Sequence, residues 1–151
     1  MQRLFKKTGI GLFAVAVGIQ FIPADYNYQE EVLPTDITLV YDVPDTVLNI
    51  LWTSCFDCHS NKTNYPWYSR IQPTRLLMDY HVKQGKADLN FSEFGSYSRR
   101  RQKNKLKSMV SQIKDNAMPL PSYTLTHRET TLTEGNKIIL IEYLDSLRTH
   151  L

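Results

Sequence analysis

The chain has two cysteines, Cys55 and Cys58, and His59 directly follows the second. Four chemistries use closely spaced thiols: a disulfide, a zinc site, a redox dithiol and a covalently held haem. Zinc wants four ligands, and the remaining histidines, His81, His127 and His150, stand isolated. A thioredoxin-type dithiol needs a βαβ setting that the sequence lacks. A disulfide would leave His59 without a role. C-x-x-C-H is the attachment pattern for c-type haem, and it uses all three residues. Thiols three residues apart lie about one helical turn apart, so both can reach the porphyrin vinyl groups from one side. His59 is then placed to bind iron as the proximal ligand.

One axial position would remain. Met118 is the best candidate, in "AMPLPSY", where Pro119 and Pro121 restrict the loop. His81, on a helix beside Leu77 and Tyr80, is the alternative distal ligand. Met78 and Met109 sit on helices at core spacing and read as packing residues. Buried propionates need partners, and Arg70, Arg75 and Tyr65 follow the motif closely enough to serve. Trp52, Phe56, Tyr65, Trp67 and Tyr68 read as pocket wall. His127 and His150 read as solvated or local capping residues.

The elements that must position these groups read as all-α. Pro44 and Asp45 open a helix whose apolar face, Val47, Leu48, Ile50 and Leu51, runs into Cys55. Pro73 opens a second helix, with Gly85 expected as its left-handed cap. A third spans about 98–116, with Leu106, Met109, Val110 and Ile113 at i, i+3, i+4 and i+7. Pro119 and Pro121 argue against helix after it, and Thr126 with Glu129 suggests one short capped turn. Thr133 caps a last helix, with Ile138, Ile141, Tyr143, Leu144 and Leu147 as packing candidates. Four main helices with long loops make a poor bundle unless the loops pack on something large. A buried prosthetic group would supply it.

The N-terminus differs from the rest. Arg3, Lys6 and Lys7 precede an uncharged, mostly apolar run from Thr8 to Ile22, ended by Pro23. This is an export pattern. The run is shorter than the roughly 20 residues of a comfortable membrane span, and no good cleavage site follows it. The expectation is an uncleaved hydrophobic anchor helix over residues 1–24, an irregular tether over 25–43 with a short extended piece at "ITLVYDV", and a haem-binding domain over 44–151. The cationic N-terminus would stay in the cytoplasm and the domain would face the periplasm from the inner membrane.

A composition of 42% hydrophobic and 22% charged residues supports one modest core, and the net charge of +3 makes no case for nucleic acid. "RRRQKNKLK", from Arg99 to Lys107, packs six cations into nine positions. It reads as a solvated helix face or as a docking surface for an acidic redox partner or anionic lipid.

Three stretches, "CFDCHSNKTNYPWYSRIQP", "LLMDYHVKQGKADLNFSEF" and "MPLPSYTLTHRETTLTEGNK", resemble the small haem-binding domain family of exported c-type cytochromes. The resemblance covers about Asp45 to Leu147. It implies one covalent haem c, a cytochrome-c-like helical fold and often an N-terminal membrane anchor. It carries haem attachment to Cys55 and Cys58, iron ligation to His59, and the methionine of the M-P-x-P stretch to Met118. The expected function is a membrane-anchored periplasmic electron carrier, with no catalytic acid or base required. The alternatives are a sensory haem protein and a peroxidase-like one with a displaceable sixth ligand, for which His81 and Arg75 are the available distal groups.

Overall fold

The computed structural model describes residues 2–23 and 25–151, with the backbone alone for Gln2 and Leu4. The described residues form helices and turns, and the only β feature among them is an isolated bridge between Tyr28 and Lys62. The α-helices are α1 (Gln2–Gly18), α2 (Ile37–Val40), α3 (Asp45–Ser54), α4 (Phe56–His59), α5 (Thr74–Asp88), α6 (Arg99–Lys114), α7 (Pro121–Thr126) and α8 (Glu134–His150). The expected four main helices correspond to α3, α5, α6 and α8.

The long pair α6 and α8 forms the back of the domain. Leu106, Val110 and Ile113 of α6 meet Leu140 and Leu144 of α8 in a core completed by Val47, Leu51, Phe56, Phe91 and Phe94. Thr133 caps α8 as its spacing predicts, accepting a hydrogen bond from Asn136 N at 3.1 Å. Leu140 is fully buried and Ile138 is 57% exposed, so the packing face of α8 lies slightly to one side of the expected set.

Four local expectations need correction. "ITLV" is a helical turn, because Asp36 accepts from Thr38 N at 3.0 Å and caps it. The segment read as a tether is packed into the domain. Ile37 is 0% exposed in the core, and Gln29 N and Thr63 N pair with Asn61 O and Asn27 O, both at 3.0 Å. Pro121 begins α7, since proline at a first helical position lacks only a donor that would be unpaired anyway. Thr126 does not cap the following turn; its hydroxyl lies 3.1 Å from Tyr123 O.

At the N-terminus α1 ends in a 3₁₀ turn, Ile19–Phe21. Phe5, Ile10, Leu12, Phe13, Val15 and Phe21 are between 63% and 81% exposed. No helix of the described residues is long and apolar enough to cross a membrane. Met1 and Ala24, the ends of the expected anchor, lie outside the described residues. Gln20 ties this segment to the domain, donating to Gln72 O at 3.3 Å and accepting from Gln72 N at 3.0 Å.

Candidate haem site

The cysteine motif is a single turn set off from α3. Cys55 leaves helical geometry, with φ −130°, and the chain re-enters it for Phe56–His59. Cys58 N and His59 N both bond back to Cys55 O, at 3.3 and 3.0 Å. Residues three and four apart share a helical face, so Cys55, Cys58 and His59 present their side chains together. The two cysteines are free thiols. Burial pushes the Cys55 thiol up to about 12, with Cys58 adding to it, and burial followed by the Asp57 charge pushes Cys58 up to about 11. Both are therefore protonated thiols at neutral pH.

These three residues form one wall of a cavity of about 510 Å³. That volume lies within the range of small-molecule and cofactor sites. The second wall is α5, through Thr74, Leu77, Met78, His81, Gln84 and Gly85. Those positions recur every three or four residues, so a single face of α5 does the lining. The third wall is the segment Met118–Leu120 with Tyr123 of α7.

Gly85 is the point where the first two walls touch. It lies inside α5 with no positive φ, so it is not the left-handed cap its position suggests. A Cβ built there would sit 2.5 Å from the Cys58 carbonyl oxygen. Only glycine lets α5 come this close to the motif. The approach sets His59: its Nδ1 lies 2.9 Å from Gly85 O and 3.0 Å from Leu89 O. Carbonyls only accept, so Nδ1 carries the hydrogen and donates. In the neutral ring Nε2 then keeps its lone pair free for a metal, the tautomer that metal-binding histidines need.

Met118 is delivered by the end of α6. Asn116 takes φ 53°, a conformation asparagine tolerates better than most residues. Asn116 N bonds to Ile113 O at 3.2 Å and Ala117 N to Gln112 O at 2.9 Å, closing a Schellman turn. Met118 N also bonds to Gln112 O, at 3.3 Å, which holds the loop against the helix end. A long-range link then joins this wall to the motif. Tyr123 Oη donates to Asp57 Oδ2 at 2.6 Å, and Asp57 sits between the two cysteines. Asn64 N donates to the other oxygen of Asp57 at 2.9 Å. Burial, then the bond to Asp57, raises the Tyr123 phenol well above its ordinary value, so it stays a donor.

Cys55, Cys58, His59, Met118 and His81 thus line one cavity, as does Tyr68. The other predicted pocket residues do not. Arg75 points from the opposite face of α5, its guanidinium 4.0 and 5.0 Å from the Tyr26 and Tyr65 ring centres and its Nε 2.8 Å from both oxygens of Asp79. Tyr65 is part of that cage. Trp67 is 76% exposed and Arg70 is exposed. Phe56 belongs to the core, and Trp52, half exposed, packs on it with ring centres 4.8 Å apart. Met78 departs from the expected core role, being half-buried on the cavity wall. Asp57 and Tyr123 were not singled out by sequence, and Gly85 was read there only as a helix cap.

The sequence matches the family model of the haem-binding domain over residues 14–146. The chain belongs to the haem-binding domain family. No curated protein matches it, and no solved structure does. Membership makes it a haem protein, and this cavity has the donors that group needs. An imidazole nitrogen is free, a thioether and a second imidazole lie on the facing walls, and the lining is rich in apolar side chains. No arginine or lysine is among the described residues of the lining, so the polar groups available to porphyrin carboxylates are neutral ones such as Thr74, Gln84 and Ser122.

Proposed function

We propose that this member of the haem-binding domain family is a monohaem c-type cytochrome that carries electrons on the periplasmic side of the inner membrane. Cys55 and Cys58 would hold the porphyrin through thioether bonds. His59 Nε2 would bind iron, Met118 would supply a second ligand, and His81 is the competing residue. The bound iron would supply a one-electron couple. The chain's part is to fix His59 in one tautomer, to hold Met118 on a loop braced by α6, and to exclude water with Leu77, Met78 and Leu120. The observation that carries this reading is the convergence of the motif's two thiols and its free Nε2 on one cavity that Met118 also lines.

The peroxidase-like alternative asks for a base and a cation over the iron. His81 lines the cavity, but Arg75 is held on the far side of α5 by Asp79 and two tyrosine rings. That placement favours the carrier. Membrane attachment would use α1, with its cationic first turns and exposed apolar side chains, lying in the interface or continuing with the chain around it.

Met118→Ala tests the ligand assignment. The oxidised protein should lose the weak near-infrared charge-transfer band of thioether–iron ligation, and its reduction potential should fall as His81 or solvent replaces sulfur. Survival of that band in Met118→Ala, with its loss in Met78→Ala, would move the ligand to α5.

A further inference from the structure

Helix α6 carries seven basic residues and no acidic one. Three more of the chain's 18 basic residues lie on α1, leaving eight elsewhere against all 15 acidic residues. Outside α1 the domain is therefore a strong dipole, with its positive pole on one helix. The ion pairs among the described residues are Arg75–Asp79, Lys137–Glu134 and Arg148–Asp145, so no cation of α6 is neutralised by one. Arg100, Lys103, Lys107 and Lys114 stand at i, i+3, i+7 and i+14, all exposed. That spacing places them on one line about 21 Å long. The line flanks the face buried through Leu106, Val110 and Ile113.

The stripe has a direction. Lys114 is the last residue of α6, and the Schellman turn beyond it leads straight to Met118 on the cavity wall, whose N–H bonds back to Gln112 O at 3.3 Å. A partner seated along the stripe therefore ends beside the cavity. This adjacency would be idle if α6 served only to lie on lipid headgroups. We infer that the Arg100–Lys103–Lys107–Lys114 stripe is the docking surface for a redox protein with an acidic face, and that it guides that face to the Met118 side of the haem site. The inference rests on the electron-transfer reading above. The negative remainder of the domain turns the molecule so that α6 leads during approach, which raises encounter rates in a salt-dependent way.

The test uses the full-length, haem-loaded protein in stopped-flow electron exchange with an acidic blue-copper protein as probe, and with the cation hexaammineruthenium as control. The wild-type rate with the copper protein should fall about tenfold or more between about 10 mM and 0.5 M salt. Lys103→Glu/Lys107→Glu/Lys114→Glu should lower the low-salt rate by about tenfold to a hundredfold and flatten its salt dependence. Its spectrum should stay unchanged, and hexaammineruthenium should react at the same rate or faster. Wild-type rates in the triple variant would overturn the assignment. So would a variant that loses binding to phosphatidylglycerol vesicles while its reaction with the copper protein is untouched, since the stripe would then belong to a membrane surface. A wild-type protein that exchanges electrons with neither probe would instead remove the carrier reading on which the inference stands.

Discussion

Gly85→Ala destabilises the fold by about 2 kcal/mol or more, and Gly85→Val prevents a stable haem site from forming. In a helix with free space around it, glycine to alanine gains about 1 kcal/mol, so the sign of the effect is itself the test. Here the new methyl would lie 2.5 Å from the Cys58 carbonyl oxygen, and neither atom belongs to a flexible side chain. The two helices must separate by several tenths of an ångström, at the cost typical of an overpacked contact. Separation also pulls Gly85 O away from His59 Nδ1, now 2.9 Å distant. Denaturant unfolding of the two variants reads the stability, and the visible spectrum reads the loss of ordered axial ligation. An alanine variant with a raised midpoint and a normal spectrum would show that α5 does not brace the motif.

His59→Ala should leave the pigment attached and its ligation broken. Cys55 and Cys58 are untouched by the substitution, so thioether bonds can still form. The imidazole that Gly85 O and Leu89 O hold in place is gone, and its ring leaves space on the cavity wall. The spectrum should change from six-coordinate to a weaker-field form, and the potential should shift. Free imidazole added at millimolar concentration should restore much of the original spectrum by entering the vacated space. His81→Ala should have a much smaller effect, because Met118 occupies the competing wall. A His59→Ala protein with the parental spectrum, insensitive to imidazole, would mean that another residue binds iron.

Much of this site is readable in the residues because its parts are local. C-x-x-C-H places three donors on one turn, and no partner from elsewhere is needed to see it. The buried face of α6 and the Thr133 cap are likewise set by neighbours in sequence. What escaped reading depends on distant contacts. Gly85 looks like a helix cap because it closes the helical stretch "PTRLLMDYHVKQ", yet its reason is the Cys58 backbone 27 positions earlier. The Tyr123–Asp57 bond joins residues separated by 66 positions. Arg75 is a plausible propionate partner by proximity to the motif, but one residue's rotation from the lining position Thr74 sends it to the other face of α5. Residues 25–43 read as a tether because Pro34 and Pro44 interrupt regular structure there and few packing signals are visible. Their order comes from backbone pairing with the loop after the motif and from burial of Asp36 and Ile37, with Tyr41 and Val43 packed against the core.

Covalent attachment of the haem through Cys55 and Cys58 is tested most directly by the intact mass of the full-length protein matured in an export-competent host. The polypeptide should be heavier by one haem, and its colour should stay with the protein through acid–acetone extraction. Cys55→Ala/Cys58→Ala should yield a chain at its bare mass. Pigment that passes into the organic phase, leaving the wild-type chain at its bare mass, would contradict covalent attachment.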